Sequence, residues 1–202
     1  GMDEKAISAV LMMITVFGVA TVPFIAKLGT KVDKKDLFKS VMAICGVLMI
    51  AAKLIGVDSY PMLIFVCLLY AAANATYWQL MPSMIYDVCE VEELLSGVKH
   101  SGAVISLQAL SESISIAVGL QMLGVILELA GFNSELSVQT PLALEWVENA
   151  FVVIPGGAMV LVALIIRKSN LTKEVFDRVK EALARRHAGE DVDITEFEEI
   201  FE

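Results

Sequence analysis

Five long apolar segments alternate with polar stretches through the first 168 residues of the chain. They cover about residues 6–28, 40–55, 61–86, 102–130 and 144–166. An apolar helix of about 20 residues, rising 1.5 Å per residue, crosses a hydrocarbon core about 30 Å thick. The pattern therefore predicts an all-α membrane protein with five transmembrane helices, which form one membrane domain over residues 1–168.

The remaining residues, 169–202, have a different pattern. Residues 171–187 are predicted to form an amphipathic helix, because Val175, Phe176, Val179 and Leu183 recur at helical spacing between charged residues. This helix either lies on the anionic inner leaflet or caps the cytoplasmic face of the membrane domain. Residues 190–202 hold seven acids and no base, and they are predicted to form a solvated acidic tail.

Composition supports a membrane protein. Hydrophobic residues make up 57% of the 202 residues and the mean hydropathy is +0.72, whereas soluble domains are about 45–50% apolar. The net charge of −9 reflects the acidic C-terminus. Because the chain is acidic, nucleic acid is not expected as a partner. Because it is strongly apolar, the lipid bilayer is expected as one.

The basic residues predict the orientation in the cell membrane. If the spans alternate in direction, all but Lys5 and Lys53 of the 15 Lys and Arg residues fall on one side. The positive-inside rule then places the C-terminus in the cytoplasm and the N-terminus outside. An outside N-terminus is expected if an odd number of earlier spans precedes this chain.

The fourth apolar segment carries polar residues at helical spacing. Gln108, Ser111, Glu112 and Ser115 share one helix face, and Glu112 is near mid-span. A carboxylate there costs about 2.5–3.5 kcal/mol on insertion scales. Glu112 therefore faces a water-filled cavity, meets a cation, or is a protonated, hydrogen-bonded structural residue, and the sequence leaves these alternatives open.

The third segment carries polar and aromatic residues on one face: Asn74, Tyr77, Trp78 and Met81. An indole can stack on a sugar ring while its N–H donates a hydrogen bond. The alternative is an aromatic residue of the interfacial belt. Trp78 lies about 12 Å along the helix from the charged residue Asp87, which is deep for a belt position and favours a place on a pathway.

Three acids, Asp87, Glu90 and Glu93, follow at intervals of three residues at the end of the third segment. They form either a solvated rim or a gate that pairs with the basic loop at residues 27–39. Signatures of an enzyme are missing from the sequence, which contains no glycine-rich phosphate loop, HExxH or CxxC. We expect no catalytic residue, no metal site and no cofactor.

Four stretches resemble the C-terminal half of the glycoside–pentoside–hexuronide:cation symporters, the melibiose-permease type of the major facilitator superfamily. In chain order they are KLGTKVDKKDLF, ANATYWQLMPSMIYDVCEVEE, HSGAVISLQALSESISIAVGLQMLGVILELAGF and RKSNLTKEVFDRVKEALARR. The resemblance implies a half-bundle made of spans eight to twelve. Its partner would be an N-terminal half-bundle that is not in this sequence and that holds most of the cation site.

The resemblance also implies a function, which is transport of a glycoside or related sugar coupled to Na⁺ or H⁺ by alternating access. Trp78 and Gln108 correspond to residues near the sugar, and Asp87 and Glu90 to acids at the cytoplasmic gate. Ser113 stands where many members carry a Lys that links the sugar and cation sites. This difference puts the usual coupling network in question.

Together these arguments predict a site made of two groups. The residues expected to bind substrate are Trp78, Gln108, Tyr77, Asn74 and Glu112, and those expected at the cytoplasmic gate are Asp87 and Glu90. The alternative function is that of a membrane scaffold or sensor that does not transport and that acts through its cytoplasmic tail.

Overall fold

The computed structural model describes residues 4–57, 59–136 and 138–201, and this part of the chain contains helices and no strand. The helices are α1 (Glu4–Lys31), α2 (Lys34–Ile55), α3 (Tyr60–Ser96), α4 (Ser101–Leu129), α5 (Pro141–Phe151), α6 (Val153–Arg167), α7 (Lys173–His187) and α8 (Thr195–Phe201). Five stretches are long and apolar enough to cross a membrane: α1, α2, α3, α4, and α5 with α6 taken together. The predicted five-span helical fold is confirmed.

The turn between α1 and α2 is much shorter than the predicted basic loop. Only Val32 and Asp33 separate the two helices. One carboxylate oxygen of Asp33 accepts a hydrogen bond from the backbone N–H of Lys35 at 2.9 Å. This N-cap satisfies a free donor in the first turn of α2, so the helix begins at Lys34, inside the basic stretch.

Helix α3 is longer than the third apolar segment. The third apolar segment ends at residue 86, whereas α3 continues through the acidic residues that follow it to Ser96. No Pro or Gly interrupts the sequence between Pro82 and Gly97, and Gly97 ends the helix in a left-handed conformation with φ of 75°. The last turns of α3 therefore extend beyond the apolar zone.

The main core lies where α1, α2, α3 and α6 meet. Its centre is α2, from which Phe38, Met42 and Cys45 pack against Ile25 of α1 and Leu80 of α3. Helix α4 is different, because none of its residues is buried. In the part of the chain that the structure describes, nothing covers most of the surface of α4.

Helices α2 and α6 approach closely at two glycines. A Cβ atom on Gly46 would lie 2.6 Å from the carbonyl oxygen of Gly156, and one on Gly156 would lie 3.0 Å from the carbonyl oxygen of Gly46. Small residues allow this backbone approach between membrane helices. The pair of glycines therefore sets the distance between α2 and α6.

The amphipathic helix α7 packs on the extended end of α3. Val179 and Leu183 of α7 form a buried cluster with Val91 and Leu94 of α3. Because this apolar face is covered by protein, the capping interpretation fits better than the one that places the helix on the leaflet.

The acidic tail was expected to be solvated, but part of it is folded against the protein. It contains α8, and Phe197 of this helix is buried in the same cluster. Asp193 lies just before α8 and accepts hydrogen bonds from the hydroxyl and backbone N–H of Thr195. These bonds lower the pKa of Asp193.

Replacing Gly46 by Ala is expected to destabilise the protein by about 1–3 kcal/mol, the range for overpacked cores. The added Cβ meets a backbone carbonyl that cannot move without separating α2 from α6. Thermal unfolding in detergent measures the effect. Gly157→Ala is the matched control, because a Cβ on this neighbouring glycine meets nothing within 4 Å. Equal melting temperatures for the two variants would contradict the close approach.

Candidate functional site

The aromatic residues Tyr77 and Trp78 are in the middle of α3 and contact each other edge to face. Their ring centroids are 5.5 Å apart and their planes are inclined by 86°. Tyr77 packs against the main core, whereas 58% of Trp78 is exposed. The core thus holds the tyrosine, and the tyrosine in turn orients an exposed indole.

The amide and carboxylate on α4 form a second polar pair. The side-chain N–H of Gln108 donates a hydrogen bond of 3.1 Å to Glu112, and both residues are half-buried. They are one helical turn apart, which brings the two side chains together. Among the described residues Glu112 has no ion-pair partner. A structural hydrogen-bonded role, contact with water and contact with a cation from outside these helices all stay predictions for this carboxylate.

The aromatic pair and the polar pair lie on neighbouring helices. Helices α3 and α4, which carry the two pairs, contact each other. Asn74, one turn before Trp78, is exposed on α3. The five residues predicted to bind substrate therefore include an edge-to-face aromatic pair on α3 and a hydrogen-bonded pair on α4, and part of each pair is accessible.

The serines of α4 make their hydrogen bonds within the helix. The hydroxyls of Ser111, Ser113 and Ser115 each donate to the carbonyl four residues earlier, over 2.7–2.9 Å. Such bonds satisfy the hydroxyls without a partner on another helix. On this face of α4, Gln108 and Glu112 keep the capacity to bind other groups.

The acid Asp87 pairs with the basic stretch after α1. Lys34 Nζ lies 2.8 Å and 2.6 Å from the two carboxylate oxygens of Asp87. The side chain of Asp87 is 15% exposed and that of Lys34 is 32% exposed. Of the two alternatives for the acids, the structure shows pairing for Asp87. That the pair acts as a gate stays a prediction.

Glu90 and Glu93 have different surroundings. Glu90 is half-buried and makes no hydrogen bond or ion pair with a described residue. Glu93 contacts His187 of α7 at 2.9 Å and Lys99 at 3.8 Å. The three acids were predicted to act as one group, but they have different surroundings: Asp87 and Glu93 pair with different residues, and Glu90 pairs with no described residue.

Asp33 is a functional candidate that the sequence interpretation missed. Its first carboxylate oxygen caps α2, and its second accepts a hydrogen bond of 2.7 Å from the backbone N–H of Lys173, the first residue of α7. One carboxylate thus caps α2 and also accepts from the first N–H of α7, whose own N-cap is Thr172. A signal was present, since an Asp directly before a helix is a common N-cap, but the second helix could not be inferred from it.

Residues 1–173 match the family model described as MFS/sugar transport protein. The match covers α1 to α6 and ends at the first residue of α7. The chain belongs to the major facilitator superfamily. No curated protein and no solved structure gave a significant match.

Membership in this superfamily of transporters makes the chain a multi-pass membrane protein of the sugar-transport type. The polar and aromatic pairs are on membrane-spanning helices within the matched range, and so is the Lys34–Asp87 ion pair. Within the described residues there is no group of three or more His, Cys, Asp or Glu side chains that could hold a metal ion. The candidate site offers aromatic, amide and carboxylate groups.

A double-mutant cycle on Lys34→Met and Asp87→Asn is expected to give a coupling energy between about 0.5 and 3 kcal/mol, the range for residues in contact. The pair is partly shielded from water and the ammonium contacts both carboxylate oxygens. Unfolding in detergent measures each variant. The exposed pair Lys39–Asp36 serves as control and is expected to couple by less than about 0.5 kcal/mol. Coupling no larger than in the control would show that the ion pair does not hold α3 to the turn.

Proposed function

We propose that this chain forms the C-terminal half of a secondary transporter for a glycoside or related sugar, of the glycoside–pentoside–hexuronide:cation symporter type. Transport is coupled to Na⁺ or H⁺ and proceeds by alternating access. An N-terminal half-bundle completes the transporter, and the sugar binds near the bilayer midplane between the two halves. The chain lies in the cell membrane with its N-terminus outside and its C-terminus in the cytoplasm.

The observation that carries the proposal is the polar face of α4, where Gln108 and Glu112 bond to each other and are only half-buried. A carboxylate and an amide on a membrane-spanning helix are unfavourable against lipid, and no described helix buries α4. These side chains are stable if they face a second bundle across a water-filled cavity. The proposed N-terminal half supplies this second bundle, and the cavity between the halves is the place for a polar substrate.

The groups at the cavity match the chemistry of a sugar. The exposed face of the Trp78 indole offers an apolar platform for the C–H face of a pyranose ring. Glu112 uses one oxygen to accept from Gln108, and a carboxylate has about four lone-pair sites. Further acceptor sites on Glu112, and the amides of Gln108 and Asn74, can therefore bind sugar hydroxyls.

The Lys34–Asp87 pair has a mechanical role in this proposal. It connects α3, which carries the aromatic pair, to the turn between α1 and α2 at the predicted cytoplasmic side. Rocking of the two halves requires each half to move as a body. The ion pair keeps the helix ends of this half together while the cytoplasmic mouth opens and closes, with Glu90 half-buried one turn further along α3.

The competing function, a scaffold that acts through its tail, has less support. A docking helix needs an accessible apolar face, and the apolar face of α7 is buried on α3. The tail is better explained as part of the folded body of the half-bundle.

Trp78→Ala is expected to raise the KM for sugar uptake, because it removes the stacking platform. Aromatic stacking contributes about 0.5–1.5 kcal/mol, which corresponds to roughly a 2- to 12-fold change. Uptake of labelled sugars by vesicles that contain the complete transporter measures it, and Trp78→Phe should retain part of the affinity. Trp146→Ala is the matched control, because Trp146 is on α5 and is not one of the residues proposed to bind sugar. An equal effect of both substitutions would argue against a specific sugar platform.

The Glu112→Gln variant is expected to keep sugar binding and to lose coupling of sugar transport to the ion. Glutamine keeps the shape and a hydrogen bond but cannot bind or release a proton or hold a cation by its charge. Sugar counterflow, which needs no net ion movement, is expected to persist, whereas accumulation against a gradient is expected to fall severalfold. Unchanged accumulation would assign Glu112 a structural role and leave coupling to the N-terminal half.

A further inference from the structure

A cavity of about 500 Å³ lies at the end of the half-bundle where Asp87 is found, beneath the turn between α1 and α2. Its volume falls in the range of small-molecule sites, about 300–1,000 Å³. Helix α3, the end of α6 and helix α7 form its walls. None of the five proposed sugar-binding residues lines it, so it is separate from the sugar site.

The walls of the cavity are mostly apolar. The side chains that form this surface are Met81, Met84, Val88, Ile166, Leu171 and Phe176. Such a surface offers few polar contacts to a free inorganic ion or a sugar. Burying a hydrocarbon chain against it is favourable, because apolar area is removed from water. The apolar walls therefore indicate an occupant with an apolar part.

Three lysines at the cavity have no carboxylate partner among the described residues. Lys35 Nζ donates to the carbonyl of Ser169, and Lys173 Nζ donates to the carbonyl of Thr30 at 3.4 Å. Lys180 Nζ lies 4.5 Å from the ring centroid of Phe176. Their three positive charges are therefore not neutralised by a direct contact.

The acids that line the cavity do not balance these lysines. Asp87 is paired with Lys34, and Asp33 accepts from two backbone N–H groups. Asp177 is the third acid of the lining. Lys34 and Asp87 neutralise each other, which leaves three lysines and two carboxylates in the lining. One of these carboxylates, that of Asp33, already accepts backbone hydrogen bonds. The excess charge is positive.

The position of the cavity points to the bilayer as the source of its occupant. The cavity lies at the level where α1 ends, α2 begins and α3 leaves its apolar stretch. This level is the predicted boundary with the inner leaflet, whose anionic lipids carry phosphate groups and attract Lys residues. We propose that the cavity binds a phospholipid with an anionic head group. Its phosphate contacts Lys35, Lys173 and Lys180, and part of one acyl chain lies along the apolar walls.

The test titrates phosphatidylglycerol and phosphatidylcholine into the delipidated intact protein in detergent, with bound lipid counted by native mass spectrometry. Phosphatidylglycerol is expected to bind more tightly than phosphatidylcholine. Lys173→Gln combined with Lys180→Gln should reduce phosphatidylglycerol affinity by roughly 10- to 30-fold, the attraction of two lysines to an anionic lipid. Lys31→Gln combined with Lys168→Gln removes the same charge from exposed positions outside the cavity and should leave binding unchanged.

Two further arms identify the part of the lipid that is recognised. Val88→Trp narrows the cavity without changing its charge and should weaken phosphatidylglycerol binding in a protein whose circular dichroism is unchanged. Millimolar inorganic phosphate should not displace the lipid. The proposal is overturned by equal losses in the two double variants, by full binding in Val88→Trp, or by displacement with phosphate alone. These readouts do not involve transport, so they stand whether or not the sugar proposal holds.

Discussion

Inside a bilayer a polar group finds no water, so its hydrogen bonds must be made within the protein or across a cavity. The hydroxyls of Thr15, Thr21 and Thr76 follow this rule by donating to the carbonyl four residues earlier in their own helices. Helix α4 follows it only in part. Its serines are satisfied internally, but Gln108 and Glu112 bond to each other and still have unused sites. That surplus capacity, on a helix with no buried residue, is what distinguishes α4 from the other spans.

The same constraint explains the charged residues near the ends of the spans. Lys53, which could have reached the interface alone, instead forms an ion pair of 2.8 Å with Glu148 of α5. Lys34 and Asp87 pair at the other end of the bundle. Charges at the ends of the spans thus connect helices that are distant in sequence. They complement the close backbone contact at Gly46, which works by shape alone.

Hydropathy was sufficient to predict the five spans, because the length of an apolar run is a local property of the sequence. It did not predict where α3 ends. The glutamates from Glu90 to Glu93 are polar but are good helix formers, so the helix continues beyond the apolar zone. Hydropathy also did not predict which groups meet. The pairing of Lys34 with Asp87, and the hydrogen bond from the start of α7 to Asp33, depend on how the helices pack. The Gln108–Glu112 bond was accessible from sequence, because residues four apart on a helix are neighbours.

The extended end of α3 connects the membrane part of the chain to its tail. Val91 and Leu94 would be exposed apolar residues on a helix that projects into water, and α7 covers them with Val179 and Leu183. Asp33 then ties the start of α7 to the turn between α1 and α2. Helix α7 is therefore connected to this turn by a hydrogen bond and to α3 by an apolar contact. The family match ends at the first residue of α7, so it bears on the spans and not on the helices that follow them.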